Sequence, residues 1–254
     1  MSVIGTVYLV GAGPGAPDLL TLRAAELLRR SDIVFYDALV HPDTIALADK
    51  AEKIAVGKRC GRHSTAQRFI NKRLVDAAHT HAVVVRLKGG DPMLFGRAQE
   101  EIDALEQNSI QYQIVPGITA ALAASAAVGT SMTRRGLSRN VTFVTPRRGA
   151  GEEGHDWAHS ALAADTCAIY MGVGEAAQIA ATLMSRGASP DLPVVIVESA
   201  SHPGERSIAA RLADLGAAAA QMITGPAVIL LGEVYARVQS AQAAAETTER
   251  SRAA

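Results

Sequence analysis

Short β-branched runs recur along the first half of the chain, at Val7 to Val10, Ile33 to Tyr36, Ile54 to Val56, Val83 to Leu87 and Tyr112 to Val115. Runs of this length bounded by turn residues predict strands. Between them, Leu22 to Arg30 and Ala66 to Ala78 carry helical spacing. In the second helix Ile70, Leu74, Ala77 and Ala78 share one face, and Ser64 with Gln67 has the form of a capping box. Alternation of the two patterns predicts a largely parallel α/β sheet. After Pro116-Gly117 the pattern changes to a small-residue helix, Thr119 to Ala127, and then strands at Val141 to Val144, Ala168 to Met171, Val194 to Val197 and Val228 to Leu231. A second α/β unit is expected there. The Gly- and charge-rich stretch from Arg147 to Asp156 predicts a surface loop, and loss of large apolar residues after Ser240 predicts a frayed helix or flexible tail. The expected division is thus residues 1–116, residues 117–240 and a tail at 241–254.

Composition narrows the class. With 254 residues, 48% hydrophobic, 20% charged and 4% aromatic, the chain has the make-up of a globular protein of one large domain or two small ones. Lys plus Arg and Asp plus Glu number 25 each, so there is no global basic field for nucleic acid or anionic membrane, and any anion recognition must be local. Cys60 and Cys167 stand in unrelated contexts without metal or disulfide spacing. The first residues lack a basic, then apolar leader, and no apolar run approaches the roughly 18 residues of a membrane span. A cytoplasmic protein with no membrane partner is expected.

Two glycine-rich segments carry the candidate chemistry. Gly11-Ala-Gly-Pro-Gly15 follows a predicted strand and precedes a helix, the setting of a dinucleotide-binding turn. The spacing fails: the last glycine of that frame falls on Ala16, and Pro14 lacks an amide donor. The loop suits close approach by something other than a dinucleotide diphosphate. The second segment runs from Val85 to Glu101, where a strand opens into Lys88-Gly-Gly-Asp-Pro92 followed by Phe95-Gly-Arg97. Loops at strand C-termini are where α/β proteins place ligands. A solvated turn is the plainer reading of Gly-Gly-Asp-Pro alone; its combination with Gly96-Arg97 and the Glu100-Glu101 helix start is less ordinary.

With these segments in view, the chain resembles the uroporphyrinogen-III C-methyltransferases of the tetrapyrrole methylase family, which use S-adenosyl-L-methionine (SAM). The resemblance covers about Gly5 to Tyr235. It is carried by Val10-Gly-Ala-Gly-Pro-Gly15 with Leu19-Leu-Thr-Leu22, Tyr36-Asp-Ala-Leu-Val40, Val56-Gly-Lys-Arg59, Leu87-Lys-Gly-Gly-Asp-Pro92, Phe95-Gly-Arg97, Val115-Pro-Gly-Ile-Thr119 and Tyr170-Met-Gly172. It implies two α/β domains with the active site in the cleft between them, a homodimer, SAM as co-substrate and S-adenosyl-L-homocysteine as product. Motif position implies SAM contacts at Pro14, Gly89, Gly90, Asp91, Leu94, Thr119, Ala120, Met171 and Ala200. The implied substrate, uroporphyrinogen III, bears many carboxylates. Arg97 and Arg135 are expected to grip it bidentately, with Glu100 nearby. Asp37 takes the position of a general base, with a structural turn carboxylate as the alternative, and Lys58 that of a proton donor.

The implied reaction is attack by an electron-rich pyrrole carbon on the sulfonium methyl, repeated at a second ring to give precorrin-2 for sirohaem, cobalamin or related tetrapyrroles. It needs neither metal nor covalent nucleophile. No fused dehydrogenase/ferrochelatase region is read in the sequence, so later steps are expected of other proteins. Some positions depart from the family pattern. Arg134 and Arg147 stand where histidines are usual, Ala98-Gln99 replaces a Gly-Gly pair, and Ala200 replaces a common glycine. Added positive charge still favours a polycarboxylate. The alternatives are a methylase acting on a later precorrin or on a substrate that is not a tetrapyrrole, a nicotinamide dehydrogenase (disfavoured by Pro14 and Ala16), and a non-catalytic binding protein. The seven histidines, His41, His63, His79, His81, His155, His159 and His202, show no ligand spacing, and His79 and His81 are expected to cap a helix end.

Overall fold

In the first half of the chain every predicted strand joins one sheet. The computed structural model describes residues 4–57, 67–148, 154–222, 224–242 and 244, and the chain divides into two units, Met1–Ala120 and Ala121–Ala254. The first unit runs β1 (Thr6–Gly11), α1 (Leu22–Arg29), β2 (Ile33–Tyr36), α2 (Pro42–Ala46), β3 (Glu52–Ala55), α3 (Gln67–Ala78), β4 (Val83–Lys88), α4 (Ala98–Gln107) and β5 (Gln111–Val115). The strand order is β3-β2-β4-β1-β5, parallel throughout.

Side-chain alternation assigns each face its cover. Val7, Leu9, Phe35 and Val84 pack against Ile70 and Leu74 of α3 and Ile102 and Leu105 of α4. On the other face Val10, Val34, Val85 and Leu87 pack against Ala24 and Leu28 of α1. Burial of both faces is why these strands read as continuous apolar runs. Because all five strands point one way, the loops beginning at residues 12, 37, 56, 89 and 116 all leave one edge of the sheet. The Thr21 hydroxyl starts α1 by accepting the Ala24 amide at 3.1 Å. Ser64 lies outside the described residues. Gln67, its expected capping partner, donates through Nε2 to Asn71 at 3.0 Å and to Glu101 at 3.2 Å.

The second unit contains α5 (Ala120–Ala127, whose first residue belongs to the first unit), β6 (Val141–Val144), α6 (Trp157–Leu162), β7 (Thr166–Tyr170), α7 (Ala176–Ser185), β8 (Pro193–Glu198), β9 (Arg206–Arg211), α8 (Leu215–Met222) and β10 (Ala227–Leu231). Its sheet, ordered β6-β7-β10-β8-β9, is mixed, with β6 and β7 parallel and the other pairings antiparallel. Ile169, Ile179, Leu183, Ile196, Leu212, Leu215 and Ile229 form its core. The sequence reading omits β9. Arg206-Ser-Ile-Ala-Ala-Arg211 is an edge strand with no residue fully buried, so it lacks the apolar run that marks the others. The expected strand through Met171 stops at Tyr170, because Met171 turns into the left-handed region at φ 55°. Past Ser240 the backbone is still helical at 241 and 242, and the Gln242 Oε1 accepts the Ala209 amide of β9 at 2.7 Å.

Phe35 is 1% exposed, and Arg73 of α3 lies over its ring at 5.7 Å. Phe35→Ala is expected to lower the unfolding free energy by about 3–5 kcal/mol in urea titration; a loss below about 1 kcal/mol would show that the face between β2 and α3 is not a packed core.

Candidate active site

At the C-terminal edge of the first sheet, three glycine-bearing loops leave β1, β4 and β5 and meet backbone to backbone. A Cβ added at Gly11 would lie 2.6 Å from the Gly117 nitrogen and 2.8 Å from the Gly90 oxygen, and one at Gly117 would collide with the same Gly90 oxygen. Gly13 (φ 74°) and Gly90 (φ 68°) adopt left-handed conformations that suit glycine. They pair as an isolated bridge in which the Gly90 amide donates to the Gly13 oxygen at 2.7 Å and the Gly13 amide to the Gly90 oxygen at 3.2 Å. Asp91 clamps the third loop: its Oδ2 accepts the Gly117 amide at 2.9 Å and its Oδ1 the Met93 amide at 2.8 Å. Gly90 faces Thr119 and Ala120, which a Cβ would approach to 3.8 and 4.0 Å. The structure therefore gathers Pro14, Gly89, Gly90, Asp91, Thr119 and Ala120 around one spot, each half-buried. Leu94 joins them through its amide, which donates to the Asp91 oxygen at 3.4 Å.

Asp37 lies beside this cradle. It follows β2, its amide donates to the Leu87 oxygen at 3.3 Å, and Leu39 of the same turn would touch a Cβ on Gly89 at 3.2 Å. Lys58 lies outside the described residues. On the far side of the 89–97 loop, Arg97 opens α4 in the left-handed region at φ 56°. Its guanidinium makes a two-point contact with Glu100, Nε to Oε1 at 2.6 Å and Nη2 to Oε2 at 2.8 Å, and both side chains are about half exposed. Phe95 is also left-handed, at φ 52°; such strain in non-glycine residues persists where the surroundings enforce it.

In the second unit Met171 and Ala200 occupy one edge of the mixed sheet. They follow β7 and β8, which flank the start of β10 with Tyr170 and Val197 both opposite Val228. Met171 is exposed, Ala200 is buried, and Ser199 (φ 52°) and Ser201 (φ 66°) flank Ala200 in left-handed geometry. Arg135 is also exposed. Its turn is closed by the Arg134–Ser138 bridge and tied by the Ser138 hydroxyl, 2.9 Å from the Thr166 hydroxyl, to the opposite edge where β7 begins. Within this unit the structure does not bring Arg135 to Met171.

Beneath the cradle runs a buried charge network of which the sequence assigned only Asp37 to the site. Arg86 and Lys88, two residues apart on β4, share the face covered by α3 and α4, and each is 3% exposed at its side chain. Glu101 of α4, fully buried, accepts from Arg86 Nε at 2.9 Å and from Lys88 Nζ at 2.9 Å on both of its oxygens. Arg86 Nη2 donates to Asp37 Oδ1 at 2.6 Å. Burial and the neighbouring Arg86 charge hold the Lys88 ammonium below its ordinary pKa, against the opposing pull of Glu101. At Arg86 the two carboxylates outweigh burial and raise the pKa further. The signal was available: two cations at a spacing of two in an apolar strand, followed by a glutamate on the next helix.

A family model described as Tetrapyrrole (Corrin/Porphyrin) Methylases matches residues 6–216. The chain belongs to the tetrapyrrole methylases. Among solved structures, this methylase is similar to uroporphyrin-III C-methyl transferase from Thermus thermophilus complexed with S-adenyl homocysteine. The two are 41% identical over 92% of this chain and 100% of that one, with a TM-score of 0.81. It is also similar to a cobalt precorrin-4 methyltransferase of cobalamin biosynthesis, at 30% identity over 89% of this chain and 94% of the other, with a TM-score of 0.79. Among curated proteins, a siroheme synthase of Zymomonas mobilis is 46% identical over 231 residues, 91% of this chain and 49% of that protein. The methylase chain thus spans about half the length of the curated relatives it matches.

Both carboxylate oxygens of Asp91 are taken up by backbone amides, so that side chain holds the loop together. The Tyr170 hydroxyl accepts the Ala121 amide at 3.0 Å in the first turn of α5, a contact with no sequence signal. Burial pushes the Cys167 thiol up to about 12, which makes it a poor nucleophile. Arg134 and Arg147 are exposed, and His81 meets the Ala77 carbonyl at the end of α3 at 3.3 Å.

Gly117→Ala places a methyl group against the Gly90 oxygen and is expected to lower stability by about 1–3 kcal/mol, read as a fall in denaturation midpoint. An unchanged midpoint would mean that the three loops are free to separate.

Proposed function

We propose that this tetrapyrrole methylase transfers two methyl groups from SAM to pyrrole carbons of uroporphyrinogen III, forming precorrin-2 and S-adenosyl-L-homocysteine. The observation that carries the reading is the side-chain-free cradle at residues 89–90 with the Asp37 carboxylate in the adjoining turn. With the Gly90 amide and carbonyl already paired to Gly13, the cradle is a fixed surface that a ligand can approach without meeting side chains, and it suits a donor that supplies an already activated methyl group.

The work left to the protein is orientation and proton removal. At each transfer the carbon–methyl bond forms as the sulfur–methyl bond breaks, the bonding pair stays on sulfur, and the cationic pyrrole so formed returns to neutrality by losing a proton from another of its positions. Asp37 is the proposed acceptor of that proton. It is 28% exposed, its Oδ1 is occupied by Arg86, and its Oδ2 has no hydrogen bond among the described residues. Lys58 is the proposed proton donor. Pro14, Leu94, Thr119, Ala120, Met171 and Ala200 complete the proposed donor contacts. Arg97, held by Glu100, and Arg135 are proposed to bind substrate carboxylates through their planar forks. A homodimer is proposed as the working assembly. Similarity to the cobalt precorrin-4 methyltransferase favours, as a second reading, action on a later precorrin.

Incubation of the pure chain with enzymically generated uroporphyrinogen III and methyl-labelled SAM separates these readings. The first expects a dimethylated product carrying two labels; no transfer to uroporphyrinogen III, with transfer to a later precorrin, would establish the second. Arg97→Ala is expected to lower kcat/KM by about 100-fold or more while S-adenosyl-L-homocysteine affinity stays within about threefold. Equal loss of both would reassign Arg97 to folding or donor binding.

A further inference from the structure

We propose that Arg86 is a positioning residue for methyl transfer, fixing the Asp37 carboxylate at the edge of the donor cradle through a guanidinium that Glu101 and Lys88 lock in place. The inference rests on the assignment of Asp37 as proton acceptor.

The geometry of Arg86 carries it. Each nitrogen of the guanidinium has its own acceptor: Nε donates to Glu101 Oε1 at 2.9 Å, Nη1 to the Leu87 oxygen at 3.2 Å and Nη2 to Asp37 Oδ1 at 2.6 Å. A planar fork engaged on all its nitrogens cannot swing without breaking a buried bond. Glu101, at 0% exposure, is itself held by Lys88 on both oxygens and by Gln67 on one. Asp37, by contrast, stands in a turn of Ala38, Leu39 and Val40, and its side chain makes no other hydrogen bond among the described residues. One carboxylate oxygen is therefore fixed by a rigid cation, and the other is left to take a proton.

Charge balance points the same way. Among the described residues the cluster holds two cations and two carboxylates. Lys88 and Glu101 alone form a neutral buried pair, and such a pair avoids the cost of a lone buried charge. Arg86 adds a further charge beyond that pair, and its own counter-charge is Asp37, 28% exposed at its side chain. The network also reaches the cradle's own loop, since a Cβ on Gly96 would meet the Lys88 side chain at 3.2 Å. The same buried group thus lies under both Asp37 and the segment that carries Gly89, Gly90 and Arg97.

The test is a double-mutant cycle on the full chain, with methyl transfer to uroporphyrinogen III and S-adenosyl-L-homocysteine affinity measured for each variant. Arg86→Met is expected to lower kcat by about 100-fold, the scale of a misplaced catalytic group, with KM and S-adenosyl-L-homocysteine affinity within about threefold of wild type. Arg86→Lys, which keeps a cation but not the fork, is expected to recover at least about tenfold of that loss. The double variant with Asp37→Asn is expected to be no slower than Asp37→Asn alone, because a residue that acts through Asp37 has nothing left to act on. Multiplying losses, or a matching fall in S-adenosyl-L-homocysteine affinity, would overturn the proposal by showing a general structural role. If Arg86→Met does not fold, the same cycle run with Arg86→Lys decides it by the same criterion. An Asp37→Asn enzyme with wild-type kcat would overturn the proposal together with the assignment of Asp37. A wild-type chain that methylates no tetrapyrrole would overturn the functional reading before any variant is compared.

Discussion

Backbone-on-backbone contact at the C-terminal ends of β4, β1 and β5 is the constraint from which the candidate site follows. Gly11, Gly90 and Gly117 approach one another so closely that a methyl group on the first or third would overlap a backbone atom of a neighbouring loop. Parallel strands make this possible, because their C-terminal ends lie side by side and their loops leave in one direction. Once the loops are fused, Gly89, Gly90, Thr119 and Ala120 are held without side chains between them, and a polar ligand meets main chain. The Asp91 carboxylate ties the β4 loop to the β5 turn, so the cradle is set by backbone and one strut.

A second constraint lies below it. Strands covered on both faces normally carry apolar residues alone, yet β4 places Arg86 and Lys88 inside. An uncompensated charge at such a depth would cost several kcal/mol, and the structure answers with Glu101 and Asp37 at hydrogen-bonding distances. The result is a polar pillar running from α4 through the sheet edge to the turn after β2. Rigidity of that kind suits a methylase, whose donor brings an already activated methyl group and leaves orientation to the protein. On the far side of the same loop, Arg97 and Glu100 present an exposed, already paired guanidinium.

The sequence disclosed much of the first unit, because its central strands β1, β2 and β4 are buried on both faces and its helices are amphipathic, so hydrophobic spacing marks them. It also showed that Gly11 to Gly15 fails the dinucleotide frame. The structure supplies the reason: Gly13 is used to pair with Gly90, not to admit a diphosphate. The second unit was less legible. β9 packs one partly buried face at an edge, and its alanines carry no strand signal. The left-handed residues Phe95, Arg97, Met171 and Ser199 are likewise invisible to periodicity, since tertiary packing enforces them. Arg86 and Glu101 were passed over for a different reason. Spacing puts Arg86 and Lys88 on one face of β4, but only the packed helix shows that Glu101 is their partner.

A crystal structure of the chain with S-adenosyl-L-homocysteine tests the central claim most directly. The account predicts the ligand against residues 89–91 and 119–120, with its sulfur on the side of Asp37 and the Asp37–Arg86 contact intact. Density for the ligand elsewhere on the chain, with the three glycine loops unoccupied, would contradict it.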